Sequence, residues 1–272
     1  MFAVILAVGA SLFTGGAGAY AALTVSPSRV VLKGHPSQVL VGFFAVKNEG
    51  DAPMQVMVEP EDWSSGVQGA RGSVGWMTVQ PTRLSIRPGK TARVKYRIRI
   101  PKEASGELRT QVFFTTDVTE GSMPMRSRLG TIIYVGIEGT EHIEAAIRGV
   151  DDAYTASTPG VARPDRPDFV LAIQNLGNTH IVPEGQVVVH DQDGEVAATV
   201  PLPPGWGLLP NEEDGYHAMR HGIHLKPGRY TVEVAIACGS DLRAPTTVTR
   251  TLEAVVTDEG HLNLLESSAP GP

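Results

Sequence analysis

From Arg83 to Pro101 the chain reads RLSIRPGKTARVKYRIRIP. Val94, Tyr96, Ile98 and Ile100 recur at every second position, with Arg93, Lys95, Arg97 and Arg99 between them. A period of two places the apolar set on one face of a strand and the cations on the other, the mark of a half-buried antiparallel strand. Pro88-Gly89 just before it is a turn signal. Short runs of the same kind recur along the chain, and no stretch shows the 3.6-residue period of a helix. In the first half the pattern predicts strands near Thr24–Lys33, Val39–Asn48, Met54–Glu59, Trp76–Val79, Arg83–Ile86, Thr91–Ile100, Leu108–Thr115 and Leu129–Ile137. In the second half it predicts His142–Val150, Asp168–Asn175, Gln186–His190, Glu195–Val200, Gly215–Met219, Arg229–Cys238 and Thr246–Val256. Seven or eight strands in roughly 120 residues is the size of one immunoglobulin-like sandwich. The fold class expected is therefore all-β, with two tandem immunoglobulin-like β-sandwich domains over residues 22–140 and 141–257 and a disordered tail over 258–272. Tyr154–Pro167, Pro-rich and polar, reads either as a long surface loop or as a late domain boundary.

Two phrases are echoed between the halves. Val46–Ala52 (VKNEGDA) is answered by Ile173–Thr179 (IQNLGNT), and Ile86–Thr91 (IRPGKT) by Leu225–Tyr230 (LKPGRY). Turns of these types occur in any sandwich, so the echoes suit tandem domains without requiring them.

Ahead of the first strand lies MFAVILAVGASLFTGGAGAYA, apolar, rich in small residues and ending Ala19-Tyr20-Ala21. It reads as a secretory signal peptide over residues 1–21, with an uncleaved membrane anchor as the other reading. No later segment approaches the ~20 apolar residues a bilayer-spanning helix needs. The expected location is a periplasm, or the outside of a single-membrane cell. Cys238 is the only cysteine of the 272 residues, so hydrophobic cores rather than a disulfide within the chain must hold the domains. Its setting in an apolar run points to a buried thiol. The net charge of -6 is unevenly spread. Residues 22–140 hold fifteen Lys and Arg against ten Asp and Glu, whereas 141–272 hold eight against nineteen. A basic half joined to an acidic half implies different electrostatic roles.

Catalytic patterns are missing: there is no G-x-S-x-G elbow, no H-E-x-x-H, no phosphate-binding Gly-rich loop. His217, His221 and His224 lack a carboxylate that completes a metal set, and Asp191–Gly194 reads as a turn rather than a calcium loop. The expectation is a binding protein, not an enzyme, working without metal or other cofactor and without nucleic acid. The basic row Arg93, Lys95, Arg97 and Arg99 reads either as a solvated face that discourages edge-to-edge pairing or as a site for an anion. On the second reading the protein is an envelope component that binds anionic glycan or another part of the envelope.

Val25–Leu32 (VSPSRVVL), Val41–Gly50 (VGFFAVKNEG), the P-x-R-L-x-I-x-P-G-K block of Pro81–Lys90, and Gln111–Phe114 (QVFF) occur in an order that resembles the periplasmic pilus chaperones, the PapD-like family. The resemblance spans about residues 24–138. It implies two sandwiches meeting at a cleft and donor-strand complementation, in which the last strand of the first domain completes an unfinished pilin-type subunit. It implies those subunits as partners, with an outer-membrane usher beside them, and no membrane span once the signal is removed. It also implies a subunit-binding site: Arg29 as carboxylate anchor, the alternating Leu129, Thr131, Ile133, Val135 and Ile137 as donor strand, and Arg126 and Arg128 as nearby cations. The chain departs from the family at Thr131, where a lysine is expected, and at Arg109, with Glu107 two residues earlier. The loop expected over Asp117–Ser127 leaves the donor strand short.

Overall fold

The computed structural model describes residues 23–63, 75–120, 123–152, 168–219, 224–258 and 262–265. The segment expected as a signal peptide (residues 1–21), the stretch Tyr154–Pro167 and His221 lie outside the described residues. The first sandwich has one sheet in the order β1 (Leu23–Ser26), β3 (Val39–Asn48), β7 (Thr91–Arg99), β5 (Met77–Gln80). Its second sheet runs β2 (Arg29–Gly34), β9 (Met123–Ile137), β8 (Glu107–Glu120), β4 (Met54–Asp62), β6 (Arg83–Ile86). The order is that of an immunoglobulin-type sandwich, with the first strand divided between both sheets.

Each strand inserts alternate side chains into one core. Val94, Tyr96 and Ile98 of β7 are buried while Arg93, Lys95, Arg97 and Arg99 are exposed. Phe44 packs edge-on against Phe114 at 5.4 Å and tilted against Tyr96 at 4.9 Å. Tyr96 fits because Gly42 faces it: a Cβ there would stand 2.1 Å from the Tyr96 hydroxyl. That ring also explains the glycine in an otherwise apolar strand.

Two of the expected elements differ. Thr24–Lys33 is broken at Pro27, with β1 antiparallel to β3 and β2 parallel to β9. Proline has no N–H to give a ladder, and the chain changes sheets there. Asp117–Ser127, expected as a loop, is instead the far end of a long β8–β9 hairpin paired from Glu107↔Gly136 out to Glu120↔Met123. Its Thr, Asp, Arg and Ser residues resemble loop composition, but across the hairpin they face one another as Thr116↔Ser127 and Asp117↔Arg126 pairs.

The second sandwich pairs β10 (Ala145–Asp152), β11 (Asp168–Asn175) and β14 (Glu213–Met219) in one sheet. The other runs β13 (Val196–Leu202), β12 (Val182–His190), β15 (Gly228–Ser240), β16 (Arg243–Val256), β17 (Leu262–Leu265). Phe169, Leu171, Ile173, Val187, Val234 and Ile236 are fully buried between them. Cys238 is buried in the same core, and burial pushes its thiol up to about 11, which removes the reactive thiolate. β17 is a correction to the expected tail: Leu262 through Leu265 pair with β16, and Leu262 is buried. Four residues were too few to read as a strand from periodicity.

The echoed phrases are a repeated structural device. The Asn48 side-chain amide donates to the carbonyls of Ala52 and Ile86 at 2.8 and 2.9 Å, and its oxygen accepts from the Gly50 N–H at 2.9 Å. Asn175 donates to the carbonyls of Thr179 and Leu208 at 2.8 and 2.9 Å and accepts from the Gly177 N–H at 2.9 Å. Both amides are fully buried.

Candidate functional site at the junction of the two sandwiches

Arg29 opens β2, opposite Ile132 of β9, and its side chain projects from the outer face of the second sheet toward the second sandwich. There a guanidinium N–H donates to His180 Nε2 at 2.9 Å, and the same nitrogen lies 2.7 Å from the Asp241 carboxylate. The guanidinium also lies 5.0 Å over the Tyr134 ring. An arginine can only donate, so His180 Nε2 accepts and the imidazole proton sits on Nδ1. That Nδ1–H points at Glu107 Oε2, 2.5 Å away. Both the His180 and Glu107 side chains are fully buried, and His180 stacks on Tyr134 at 4.0 Å. Arg109 lies 3.7 Å from the other Glu107 oxygen. With the imidazole neutral, Arg29 and Arg109 balance Glu107 and Asp241, so the buried part of the network carries no uncompensated charge.

Tyr134 sits at the centre, on β9. Burial, reinforced by the Glu107 charge and opposed by Arg29 and Arg109, pushes its hydroxyl up to about 12. Trp63 packs tilted against it at 6.0 Å. The two sandwiches approach closely beside this cluster: a Cβ on Gly106 would stand 2.6 Å from the Asn178 carbonyl, and one on Gly136 would stand 2.9 Å from the Leu242 side chain. Gly106 also has φ +67°. The Asn178 side chain bonds both the Thr140 carbonyl and the His142 N–H of the connecting segment, at 2.9 and 2.7 Å.

The other sequence-derived positions are distributed along β9. Ile133, Val135 and Ile137 are fully buried in the core of the first sandwich. Thr131 is also fully buried and donates to the Pro27 carbonyl at 3.0 Å. Leu129 packs partly against that core. Arg128 is ion-paired with Glu61 and lies 3.5 Å over the Phe113 ring; Arg126 pairs with Asp117 at 2.6 Å on the exposed hairpin. The Arg126 guanidinium holds the Asp117 carboxyl below its usual range. β2 covers β9 only from Ile132 to Ile137, so among the described residues Met123–Thr131 is paired on one side alone, by β8. Arg29 therefore stands where an open strand edge ends and the junction begins.

Arg29 is thus brought together with Glu107, Tyr134, His180 and Asp241, not with Arg126 or Arg128. His180 and Asp241 lie 151 and 212 positions from Arg29 in a polar loop and a turn, and no local pattern marks either. Glu107 was visible only as a displaced acid. His217 and His224 are exposed, and among the described residues no three His, Cys, Asp or Glu side chains gather as a metal set.

No family model matches the chain, and no curated protein does. Among solved structures it is similar to the class 5 fimbriae chaperone CfaA, at 11% identity over 85% of this chain and 98% of that one, with a TM-score of 0.49. It is similar also to a chain of the SafA pilin–SafB chaperone complex of Salmonella enterica, at 11% identity over 87% and 97% with a TM-score of 0.44. A third is a chain of the CsuC–CsuE chaperone–tip adhesion subunit complex of Acinetobacter baumannii, at 9% identity over 84% and 98% with a TM-score of 0.46.

Proposed function

We propose that the chain is a divergent member of the PapD-like pilus chaperones, an exported protein that holds incomplete pilin-type subunits by strand addition before their assembly. The observation that carries this reading is the open edge of β9 over Met123–Thr131, ending beside Arg29. Unpaired N–H and C=O groups along such an edge are a template for an extended segment of a partner, and main-chain hydrogen bonds supply the affinity.

The part of β9 that serves the client lies ahead of most of the residues first singled out. Ile133, Val135 and Ile137 are committed to the sandwich's own core, so Leu129 and the alternate positions before it, Ser127, Met125 and Met123, are the ones in register with the open edge. Thr131 marks the changeover, its hydroxyl spent on Pro27.

Arg29 is the anchor for the client's terminal carboxylate. A guanidinium has five N–H donors in a planar fork, of which one nitrogen is engaged by His180 and Asp241. Asp241 is about half exposed, so it is the partner a carboxylate from outside displaces. The two residues should therefore respond in opposite directions. Arg29→Ala should abolish capture of a pilin-type subunit encoded beside the gene, whereas Asp241→Asn should tighten it about tenfold by removing the internal competitor. Titration calorimetry with purified subunit reads both. Capture that persists in Arg29→Ala, or that weakens in Asp241→Asn, would sink the anchoring role.

A further inference from the structure

The row Arg93, Lys95, Arg97 and Arg99 lies on β7, which is flanked by β3 and β5 and is not an edge of its sheet. Protection of an edge therefore does not account for it. Nor does internal pairing. All four arginines of β2, β8 and β9 have a carboxylate within 4 Å: Arg29 with Asp241, Arg109 with Glu107, Arg126 with Asp117, Arg128 with Glu61. Among the described residues none of the four cations of β7 has one. The strands β1, β3, β5 and β7 contain no Asp or Glu at all. The row spans about 20 Å at the rise of an extended strand.

Beside it runs a second row that is apolar. Val39 pairs with Arg99, Val41 with Arg97 and Phe43 with Lys95 across the β3–β7 ladder. These side chains stay 39%, 52% and 53% exposed, so the neighbouring aliphatic stems do not cover them. On the far side Thr78 and Gln80 of β5 extend the same face with neutral polar groups. The face is thus a sheet surface whose strands carry no carboxylate, with a cationic row next to an exposed apolar row, and with Glu49, just past the end of β3, paired with Lys47 at one end.

We propose that this face docks the protein on a bilayer surface containing anionic phospholipid. Lys and Arg reach headgroup phosphates while their stems and the Val39–Val41–Phe43 row enter the boundary with the acyl chains, the division of labour of interfacial protein surfaces. Soluble polyanions need only the charges, and sugar recognition needs a hollow with polar groups converging on the ring. The apolar row next to the cations is what selects the bilayer. A second copy bound through its acidic domain also satisfies the charge, and the experiment below separates it from the bilayer. The surface lies on the opposite sheet from Arg29 and the β9 edge, so its test does not depend on the client-binding reading.

The experiment is sedimentation of the full chain with vesicles of phosphatidylcholine alone or of phosphatidylcholine and phosphatidylglycerol in equal parts. Binding is expected only to the anionic vesicles and should weaken as salt rises. Each cation near an anionic surface is worth about fivefold in partitioning, so Arg93→Gln, Lys95→Gln, Arg97→Gln and Arg99→Gln together should lower binding on the order of several hundredfold. Phe43→Ser should lower it about tenfold and leave the salt dependence unchanged. All five positions are exposed, so circular dichroism and an unchanged melting temperature will confirm that the variants fold. No binding to anionic vesicles, or full binding by the quadruple variant, overturns the proposal. So does retention on dextran sulfate with vesicle binding indifferent to Phe43→Ser, which marks a polyanion site, or salt-sensitive self-association without vesicle binding, which marks a second copy.

Discussion

Asn48 and Asn175 each close a loop of their own sandwich with two donated and one accepted hydrogen bond, and both are sealed from water. Removing the Asn175 amide leaves the Thr179 carbonyl without that donor, while the Leu208 carbonyl keeps the Ile181 N–H and the Gly177 N–H keeps the Glu144 carbonyl. A buried polar group that loses its partner costs about 1–3 kcal/mol. Asn175→Ala should lower the stability of the second sandwich by about 1–3 kcal/mol in urea titration. Asn175→Asp should fare little better, because a carboxylate cannot donate to the Thr179 and Leu208 carbonyls. A second residue-scale effect concerns alkali. Burial raises the Cys238 thiol from 9.0 to about 11 and the Tyr134 hydroxyl from 10.0 to about 12. Folding thus favours the neutral form of both groups. Their contribution is whole below pH 9 and is lost as pH rises through 11 and 12, by at most about 3 kcal/mol for each group. The urea midpoint should accordingly fall above pH 9, and Cys238→Ala should flatten the part of that fall below pH 11. A midpoint indifferent to alkali would contradict the burial of both groups.

Among elements, legibility followed how the strand is buried. β7 showed in the sequence almost to the residue because one face is core and the other water, which writes a period of two into the chain. β3 and β11 were readable for the same reason, each bounded by the Asn-containing turn that follows it. The outer half of the β8–β9 hairpin escaped because it has little core to face. Thr115↔Arg128 and Asp117↔Arg126 are polar cross-strand pairs, and polar pairs look like loop. The consequence for function is direct, since the open edge proposed for a client lies in that half. β1 and β2 look like one strand because both are apolar and β-branched, but the inward positions shift from Leu23 and Val25 to Val30 and Leu32 across Pro27, where the chain passes from one sheet to the other.

At the scale of the whole molecule, the two sandwiches share no strand ladder and meet through polar groups: the Glu107–His180–Arg29–Asp241 chain, Tyr134, and the glycine contacts. Arg29 was legible as a candidate through the motif around it. His180 and Asp241 were not, because a junction is made by residues whose only relation is spatial. Gly106 is a position where that junction has no room for a side chain. A side chain there meets the Asn178 carbonyl and is strained at positive φ. Gly106→Ala should loosen the junction while leaving both cores intact, seen as a larger radius of gyration in solution scattering and as new proteolysis within residues 138–144. Unchanged scattering and protease resistance would show that Gly106 does not govern the junction.

The long sequence separation within that junction also sets an order of events in time. Every strand of the first sandwich precedes residue 138, so its core can close while the rest of the chain is still being made. At that stage Arg29 is already in place on β2 but has neither His180 nor Asp241 to hold. Its partners arrive last, with the loop before β12 and the turn between β15 and β16. A chain made only that far presents the Arg29 guanidinium over Tyr134 without the Asp241 carboxylate that later pairs with it.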